Sequence, residues 1–275
     1  MDCPFCRDRN DWHLGFNLTS GYFNCWRCGG KRVWTTVSAL LGTTDAGRIH
    51  QAIQSHQTDD VYARHADRLR NTSIDPPPGC GPMLRQHRRY LRGRGFKPSQ
   101  LANDWGLLGT GHMSGIWNWR VIVPIHNEAG AVVAYQGRAI TSTAEPKYRM
   151  TPDDDALEDP KSILYGVHLA ERSVIVVEGV TGVWRIGPGA VATLGIDWSR
   201  EQADRLRQFE RRFILFDPEP QAQQRAEELA NWVSYFPGET ELISGFDTDP
   251  GEYTTEQVTN IRQDLGVDNP YQKER

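Results

Sequence analysis

A chain of 275 residues, 24% charged and 38% hydrophobic, has room for one small module and one larger domain with its own core. Its longest aliphatic run, Val174-Ile175-Val176-Val177, falls far short of the roughly 20 apolar residues that span a bilayer, and its five cysteines are too sparse for a disulfide framework. The formal net charge of -4 would argue against a nucleic-acid partner only if it were evenly spread. Instead Gly81 to Leu101 carries Arg85, Arg88, Arg89, Arg92, Arg94 and Lys97 with no Asp or Glu, and the acidic excess lies mostly after residue 200. It is the local sign that decides phosphate binding.

The chain opens without a basic start and apolar run of the secretory kind, so a cytoplasmic location is expected. Its first element is a pair of knuckles, Cys3-x-x-Cys6 and Cys25-x-x-Cys28. Four thiolates suit tetrahedral Zn2+, and a site closed in this way leaves no position for substrate, so the metal is expected to be structural. Between the knuckles, Trp12 to Leu18 and Thr19 to Cys25 alternate around Ser20-Gly21, the pattern of a hairpin. A short helix is predicted over Val37 to Leu41, and residues 1–42 read as a β-rich zinc ribbon. Trp12, Phe16, Tyr22, Phe23 and Trp26 crowd this small sheet. They either pack around the metal or present faces that stack on the bases of a single strand, at ~1–3 kcal/mol for each stack. His13 and Arg27 are either solvated or hydrogen-bond to those bases.

Residues 43–80 read as a linker with room for one or two helices, closed by Asp75-Pro76-Pro77-Pro78-Gly79, which cannot be helix interior. Within residues 81–165, a basic helix is predicted over Met83 to Arg92, stopped by Gly93 and Gly95. Strands over Val121 to Ile125 and Val132 to Tyr135 flank an Asn127 to Gly130 turn. The pattern then changes to alternating strand and helix, and residues 166–275 are assigned to the second part of this domain. Strands are predicted at Val174 to Val177, Val191 to Leu194, Phe213 to Phe216 and Glu239 to Ile243. The helices between them cover Thr181 to Ile186, Ser199 to Phe209 and Gln221 to Tyr235. Such alternation implies an α/β fold with a parallel sheet covered by helices.

Ligands of open parallel sheets bind at the carboxyl ends of strands, where Glu178 and Asp217 fall. Asp217 and Glu219, two positions apart, would project the same way from a strand end and converge on one cation. Hard oxygen donors favour Mg2+ or Mn2+, which would hold a triphosphate and polarise an attacking hydroxyl. The plain alternative is that these acids are solvated strand caps. Asp247, Asp249 and Glu252 lie in a later Pro-Gly turn that is either a second metal position or an ordinary acidic loop. Cys80 is a leftover thiol, and His112, His126 and His168 show no ligand spacing.

Taken in order, these segments resemble the bacterial-type, DnaG-like primases, in which a zinc-binding domain precedes a catalytic core with a TOPRIM fold. The resemblance rests on Cys-Pro-Phe-Cys at 3–6, Cys-Trp-Arg-Cys at 25–28, Tyr90-Leu91-Arg92-Gly93-Arg94-Gly95-Phe96 and Arg120-Val121-Ile122-Val123-Pro124-Ile125. It continues through Gly137-Arg138, Pro146-Lys147-Tyr148, Leu164-Tyr165-Gly166, Val176-Val177-Glu178-Gly179, Ala192-Thr193-Leu194-Gly195 and Phe216-Asp217-Pro218-Glu219. It implies synthesis of short RNA primers on single-stranded DNA from ribonucleoside triphosphates, with the zinc domain selecting the start site through Trp12, His13, Trp26 and Arg27. Glu178, Asp217, Glu219 and Asp249 would hold Mg2+ or Mn2+, and Arg120, Arg138, Lys147 and Lys161 would line the template and nucleotide groove. The family's Asp-x-Asp is Asp217-x-Glu219 here, an acid four positions after Glu178 is Gly182, and Gly251 ends the late Asp-Pro-Asp. Cys6 stands where zinc domains of this type often use a histidine. No Walker A segment is present and the chain ends soon after the parallel-sheet region, so a helicase is expected only in trans, and the size suggests a phage or mobile element. The competing functions are a TOPRIM nuclease and a non-catalytic replication-initiation factor that binds single strands.

Overall fold

Alternation around the first turn becomes a hairpin in the computed structural model, with β1 (Leu14–Asn17) antiparallel to β2 (Tyr22–Cys25) and Leu14 opposite Cys25. β3 (Gly29–Lys31) adds on the other side of β2. The described residues are 2–6, 13–17, 22–31, 33–45, 47–49, 52, 73–142, 144–152 and 155–267. The chain divides into two units, residues 1–71 and 72–275.

In the first unit, helix α1 (Val33–Leu41) begins four residues before the predicted start. Its β-branched opening favours a strand locally, yet Val33 and Val37 stand one turn apart and pack on the same small core of Cys3, Leu14, Phe23 and Cys25. Tertiary contact decides the conformation here.

The second unit holds two sheets. Strands β4 (Cys80–Gly81), β5 (Leu108–Thr110), β6 (Arg120–His126), β7 (Val132–Ala139) and β8 (Tyr148–Met150) form an antiparallel sheet in that order. Helix α2 (Arg85–Gly93) buries His87 and Leu91, one turn apart, and leaves Arg85, Arg88, Arg89 and Arg92 exposed. The Leu84 N–H donates to His87 Nδ1 at 3.0 Å and fixes the start of this helix. Helix α3 (Pro98–Trp105), absent from the sequence reading, carries proline at its first turn and Gly106 after its last.

The parallel sheet has the order β10-β9-β11-β12, built from β9 (Ser173–Val177), β10 (Ala190–Ala192), β11 (Arg211–Ile214) and β12 (Glu239–Leu242). Helices α4 (Val180–Ile186), α5 (Arg200–Arg205), α6 (Pro220–Val233) and α7 (Thr255–Asp264) accompany it. Alternate residues of β9 enter separate cores. Ile175 and Val177 join Val180 and Val183 of α4, Ile261 of α7, and Val121, Val123 and Ile125 of β6. Val174 and Val176 join Ala222, Ala226 and Leu229 of α6. One core is therefore shared by the two sheets, and that sharing fixes the carboxyl ends of β9 and β11 relative to β7. Among the described residues no helix is long and apolar enough to cross a membrane.

Candidate active site and metal centre

In the first unit the thiols of Cys3, Cys6, Cys25 and Cys28 all lie within 4.8 Å of one another. Cys3 Sγ is 3.6 Å from Cys28 Sγ, Cys6 Sγ is 3.7 Å from Cys25 Sγ, and Cys6 Sγ is 3.3 Å from Cys28 Sγ. Sulfurs at the corners of a zinc tetrahedron with bonds near 2.3 Å stand about 3.8 Å apart, so the set fits one zinc ion. Trp26 and Arg27, on the second knuckle, are exposed, Trp26 to 75%. His13 is not where the sequence reading placed it: it is 7% exposed, in the segment whose carbonyl accepts the Trp26 N–H at 3.0 Å. A ring so enclosed packs within the unit and does not face a strand in solution. Phe23 is buried with Phe16 against it at 4.7 Å between ring centroids. Trp12 lies outside the described residues.

In the second unit Glu178 follows β9 directly, and the chain after β11 runs on through Leu215 and Phe216 to Asp217. The Asp217 N–H donates to the Glu178 carboxylate at 2.9 Å, and the Gly195 N–H to the Glu178 carbonyl at 2.8 Å. Asp249 accepts the Gly251 N–H at 2.6 Å at the head of a 3-10 turn, Pro250–Glu252. Burial, followed by the charges of Glu219 and Asp249, pushes the Glu178 carboxyl up to about 7 against the pull of the Asp217 N–H. Burial, then Glu178, Asp249 and Glu219, pushes Asp217 up to about 7 as well. Glu178 and Asp217 thus both feel the charges of Glu219 and Asp249, and the cations that reach this group, Arg138 and Arg185, do so at Asp249. Among the described residues only the cysteines gather three or more donors around one point, so the carboxylates are no all-protein cage. That suits Mg2+, which keeps waters and is commonly held by one or two carboxylates plus substrate phosphates. Glu178 and Asp217 fit it best. The strand ends at Ile214, however, and Glu219 is the exposed N-cap of α6, so its approach to the site comes from a helix start and not from strand alternation.

Strand geometry also separates the two sequence-predicted arginines. In the β6–β7 register Arg138 stands opposite Val121 and Arg120 opposite Ala139, so they point to opposite faces. Arg138 faces the shared core side. It is 2% exposed, its Nε donates to the Tyr90 hydroxyl at 2.7 Å, and its guanidinium lies 4.9 Å from the Tyr148 ring centroid. Burial lowers its pKa, with Arg94 adding to the effect and Tyr90 and Asp249 opposing it. Arg120, also 2% exposed, donates to the Gly137 carbonyl at 3.1 Å and the Lys147 carbonyl at 3.3 Å. A Cβ at residue 137 would stand 2.8 Å from Trp117 and 2.9 Å from Arg120. Arg120 therefore braces the far face of the sheet, correcting its expected place in a groove. Lys147 is exposed, with Nζ 5.7 Å from the Tyr148 ring. Lys161 Nζ donates to the carbonyls of Leu194 at 3.3 Å and Asp197 at 3.2 Å, beside the Gly195 that bonds Glu178.

Sequence reading passed over Arg185 on α4. Its Nε donates to the Gly251 carbonyl at 3.0 Å, and its two terminal nitrogens donate to the carbonyls of Gly95 at 3.2 Å and Arg94 at 2.9 Å. It lies over Phe96 at 4.3 Å. The missing acids have a structural counterpart in the same place. A Cβ at Gly182 would sit 3.1 Å from Val177 and 3.5 Å from Pro250, and one at Gly251 3.0 Å from Thr181. Two glycines let the Asp249 turn lie close on α4, and Arg185 ties it to the loop after α2. Arg185→Ala is expected to destabilise the second unit by about 2 kcal/mol through lost charge-assisted hydrogen bonds and to weaken any Mg2+ binding at the acids beside the Asp249 turn. Arg185→Lys, keeping the charge without the planar fork, should recover only part of either. Thermal denaturation and Mg2+ titrations measure both.

Residues 84–171 match the family described as the DNA primase catalytic core, N-terminal domain. The DNA primase of Halalkalibacterium halodurans is 36% identical over 98 residues, covering 32% of this chain and 16% of that protein. The DNA primase of Streptomyces coelicolor is 33% identical over 114 residues, 38% of this chain and 18% of that one. The match thus spans less than a fifth of either relative. Among solved structures, a DnaG primase catalytic domain bound to ssDNA aligns with a TM-score of 0.52 at 17% identity, over 72% of this chain and 76% of that one. The primase fragment of the bacteriophage T7 primase-helicase protein aligns at 0.50 and 12% identity, over 94% and 96%. Likeness at these identities is one of fold.

Proposed function

We propose that this chain, whose residues 84–171 match the DNA primase catalytic core, N-terminal domain, is a DnaG-type primase that synthesises short RNA primers on single-stranded DNA. The observation that carries the reading is the pair of carboxylates, buried Glu178 and half-buried Asp217, joined by the bond from the Asp217 N–H to the Glu178 carboxylate at the carboxyl ends of the adjacent parallel strands β9 and β11. Mg2+ or Mn2+ bound there would neutralise triphosphate oxygens and polarise the 3′-hydroxyl. Glu178 and Asp217 would hold the ion, and Glu219 and Asp249 would add negative charge around it. The 3′-oxygen of one ribonucleotide forms a bond to the α-phosphorus of the next, its hydroxyl proton passes to solvent, and the bond from the α-phosphorus to pyrophosphate breaks as pyrophosphate departs. Arg138, buried and fixed by Tyr90, would act on this step through its positive charge, which is felt at Asp249. Lys147 and Lys161 supply positive charge nearer solvent. In the zinc unit, Trp26 and Arg27 are the exposed groups with which a start site would be chosen. A replicative helicase is the expected larger partner.

The test is incubation of the protein with Mg2+ or Mn2+, labelled ribonucleotides and a pool of random single-stranded DNA. Short, template-dependent RNA is the expected product, and sequencing productive templates gives the start site. Degraded template would assign the site to a nuclease instead. Strand binding with neither product nor cleavage would assign it to an initiation factor.

A further inference from the structure

Trp119, immediately before β6, adopts a φ of +51°, the left-handed region that a bulky side chain rarely enters. Such a conformation persists where its surroundings over-determine it, and it marks functional positions more often than others. Here the Trp119 N–H donates to the Gly111 carbonyl at 3.2 Å, and its own carbonyl accepts the Ile140 N–H at 3.1 Å. The ring is half-buried, with the exposed His112 ring stacked at 6.3 Å and the buried His87 ring at 6.5 Å. The backbone is held in an unfavourable conformation and the indole is left partly open.

The indole opens into a pocket of about 350 Å³ lined by Gln86, Arg89, Tyr90, Trp119, Ile140 and Thr141. Helix α2 brings charge to its rim. Arg85, Arg88, Arg89 and Arg92 are exposed on a helix with no acidic residue, and none makes an ion pair among the described residues. Gln86 and Thr141 offer an amide and a hydroxyl at the same wall. Tyr90, a third wall, accepts the hydrogen bond from the buried Arg138, so one side chain links the pocket to the charge near the acids. A flat aromatic face, an uncommitted guanidinium and short hydrogen-bonding groups are the components that recognise a splayed nucleobase and its phosphate.

We propose that this pocket receives one unpaired base of the single-stranded DNA template, stacked on Trp119, with a neighbouring phosphate on Arg89. The inference rests on the primase reading and adds to it a template subsite at the rim of the antiparallel sheet, on the face that carries Arg138. Duplex DNA, whose bases stay paired and stacked, does not fill it.

Binding of fluorescent single-stranded and duplex oligonucleotides, read by anisotropy across a salt series, tests the assignment without any turnover. Trp119→Gly is the informative variant, because glycine adopts positive φ freely and the backbone is relieved, not broken. It is expected to weaken single-strand binding roughly 5- to 100-fold with little change for duplex, and Trp119→Phe to recover most of the loss. Arg89→Gln, on the exposed helix face, should lower the salt slope by about one phosphate contact. In the wild type, one abasic position walked along the oligonucleotide should weaken binding at a single place, and the effect should vanish in Trp119→Gly. Unchanged single-strand affinity in Trp119→Gly overturns the subsite and leaves the primase reading standing. A higher KM for ribonucleotides at unchanged DNA affinity also overturns it, giving the pocket to the incoming nucleotide. A wild-type protein that binds no single strand overturns both.

Discussion

Asp217→Asn is expected to abolish primer synthesis, by about a thousandfold or more, at an affinity for single-stranded DNA within about twofold of wild type. The size follows from the kind of step: nucleotidyl transfer depends on positioning and electrostatic stabilisation, with little for the protein to do covalently. Asparagine keeps the shape of the side chain, and the backbone N–H of residue 217 still bonds Glu178, so what is lost is one negative charge. The same change should stabilise the protein in the absence of divalent ions. Glu178 and Asp217 are both pushed up to about 7, above the ordinary carboxylate range of about 4. A carboxyl whose folded pKa is raised contributes stability that is complete below about pH 4 and is lost as pH rises through about 7. Wild-type protein in Mg2+-free buffer should therefore melt lower at pH 8 than at pH 5, by less than the full shift implies because solvent screens both groups. Asp217→Asn should flatten that dependence, and added Mg2+ should raise the wild-type midpoint at pH 8 and not the variant's. A variant that still makes primers would end the assignment of Asp217 as a metal ligand.

How much of this was legible beforehand depends on whether local sequence or distant contact fixes each piece. The parallel sheet was legible because β9 and the run Phe213-Ile214-Leu215-Phe216, which opens inside β11, are buried and read as continuous apolar stretches bounded by helical segments. The knuckles were legible because thiolate spacing is local. Helix α3 was not, since Pro98-Ser99-Gln100 reads as a loop until Leu101 and Trp105, one turn apart, find the shared core. Helix α7 was hidden similarly, its few apolar residues, Val258 and Ile261, being held by contacts far away in sequence. The acids were found at the ends of the right strands, but Glu219 was assigned to a strand that stops at Ile214, because a proline on either side of it left the helix start invisible to alternation. Arg120 and Arg138 both matched basic positions of the family resemblance, and only strand register shows that they occupy opposite faces. Arg185 and Trp119 gave no sequence signal. One acts through carbonyls brought from residues 94–95 and 251, the other through a backbone angle.

Removing zinc should unfold the first unit while the second melts unchanged. Among the described residues the core around the thiols is Cys3, Leu14, Phe23 and Cys25, of which two are ligands, and Ile49 is buried besides, leaving Leu14, Phe23 and Ile49 at roughly 1.5–3 kcal/mol each for a fully buried side chain. That cannot offset the cost of ordering a three-stranded sheet and a helix, at about 1–2 kcal/mol per residue of backbone alone. Structural zinc, worth about 10–16 kcal/mol in small zinc-finger peptides, is the term that closes the difference. The deficit is local, because the second unit has its own two large cores. Cys25→Ser, or a zinc-selective chelator, should release the metal and make residues 1–71 susceptible to protease while residues 72–275 stay resistant. Priming should fall by at least tenfold, since Trp26 and Arg27 lie on the knuckle between Cys25 and Cys28 and lose their fixed placement with it. Single-strand binding through Trp119 and Arg89 should persist. A first unit that stays protease-resistant without zinc would show that apolar packing suffices, and the knuckles would then be a site the fold presents and does not depend on.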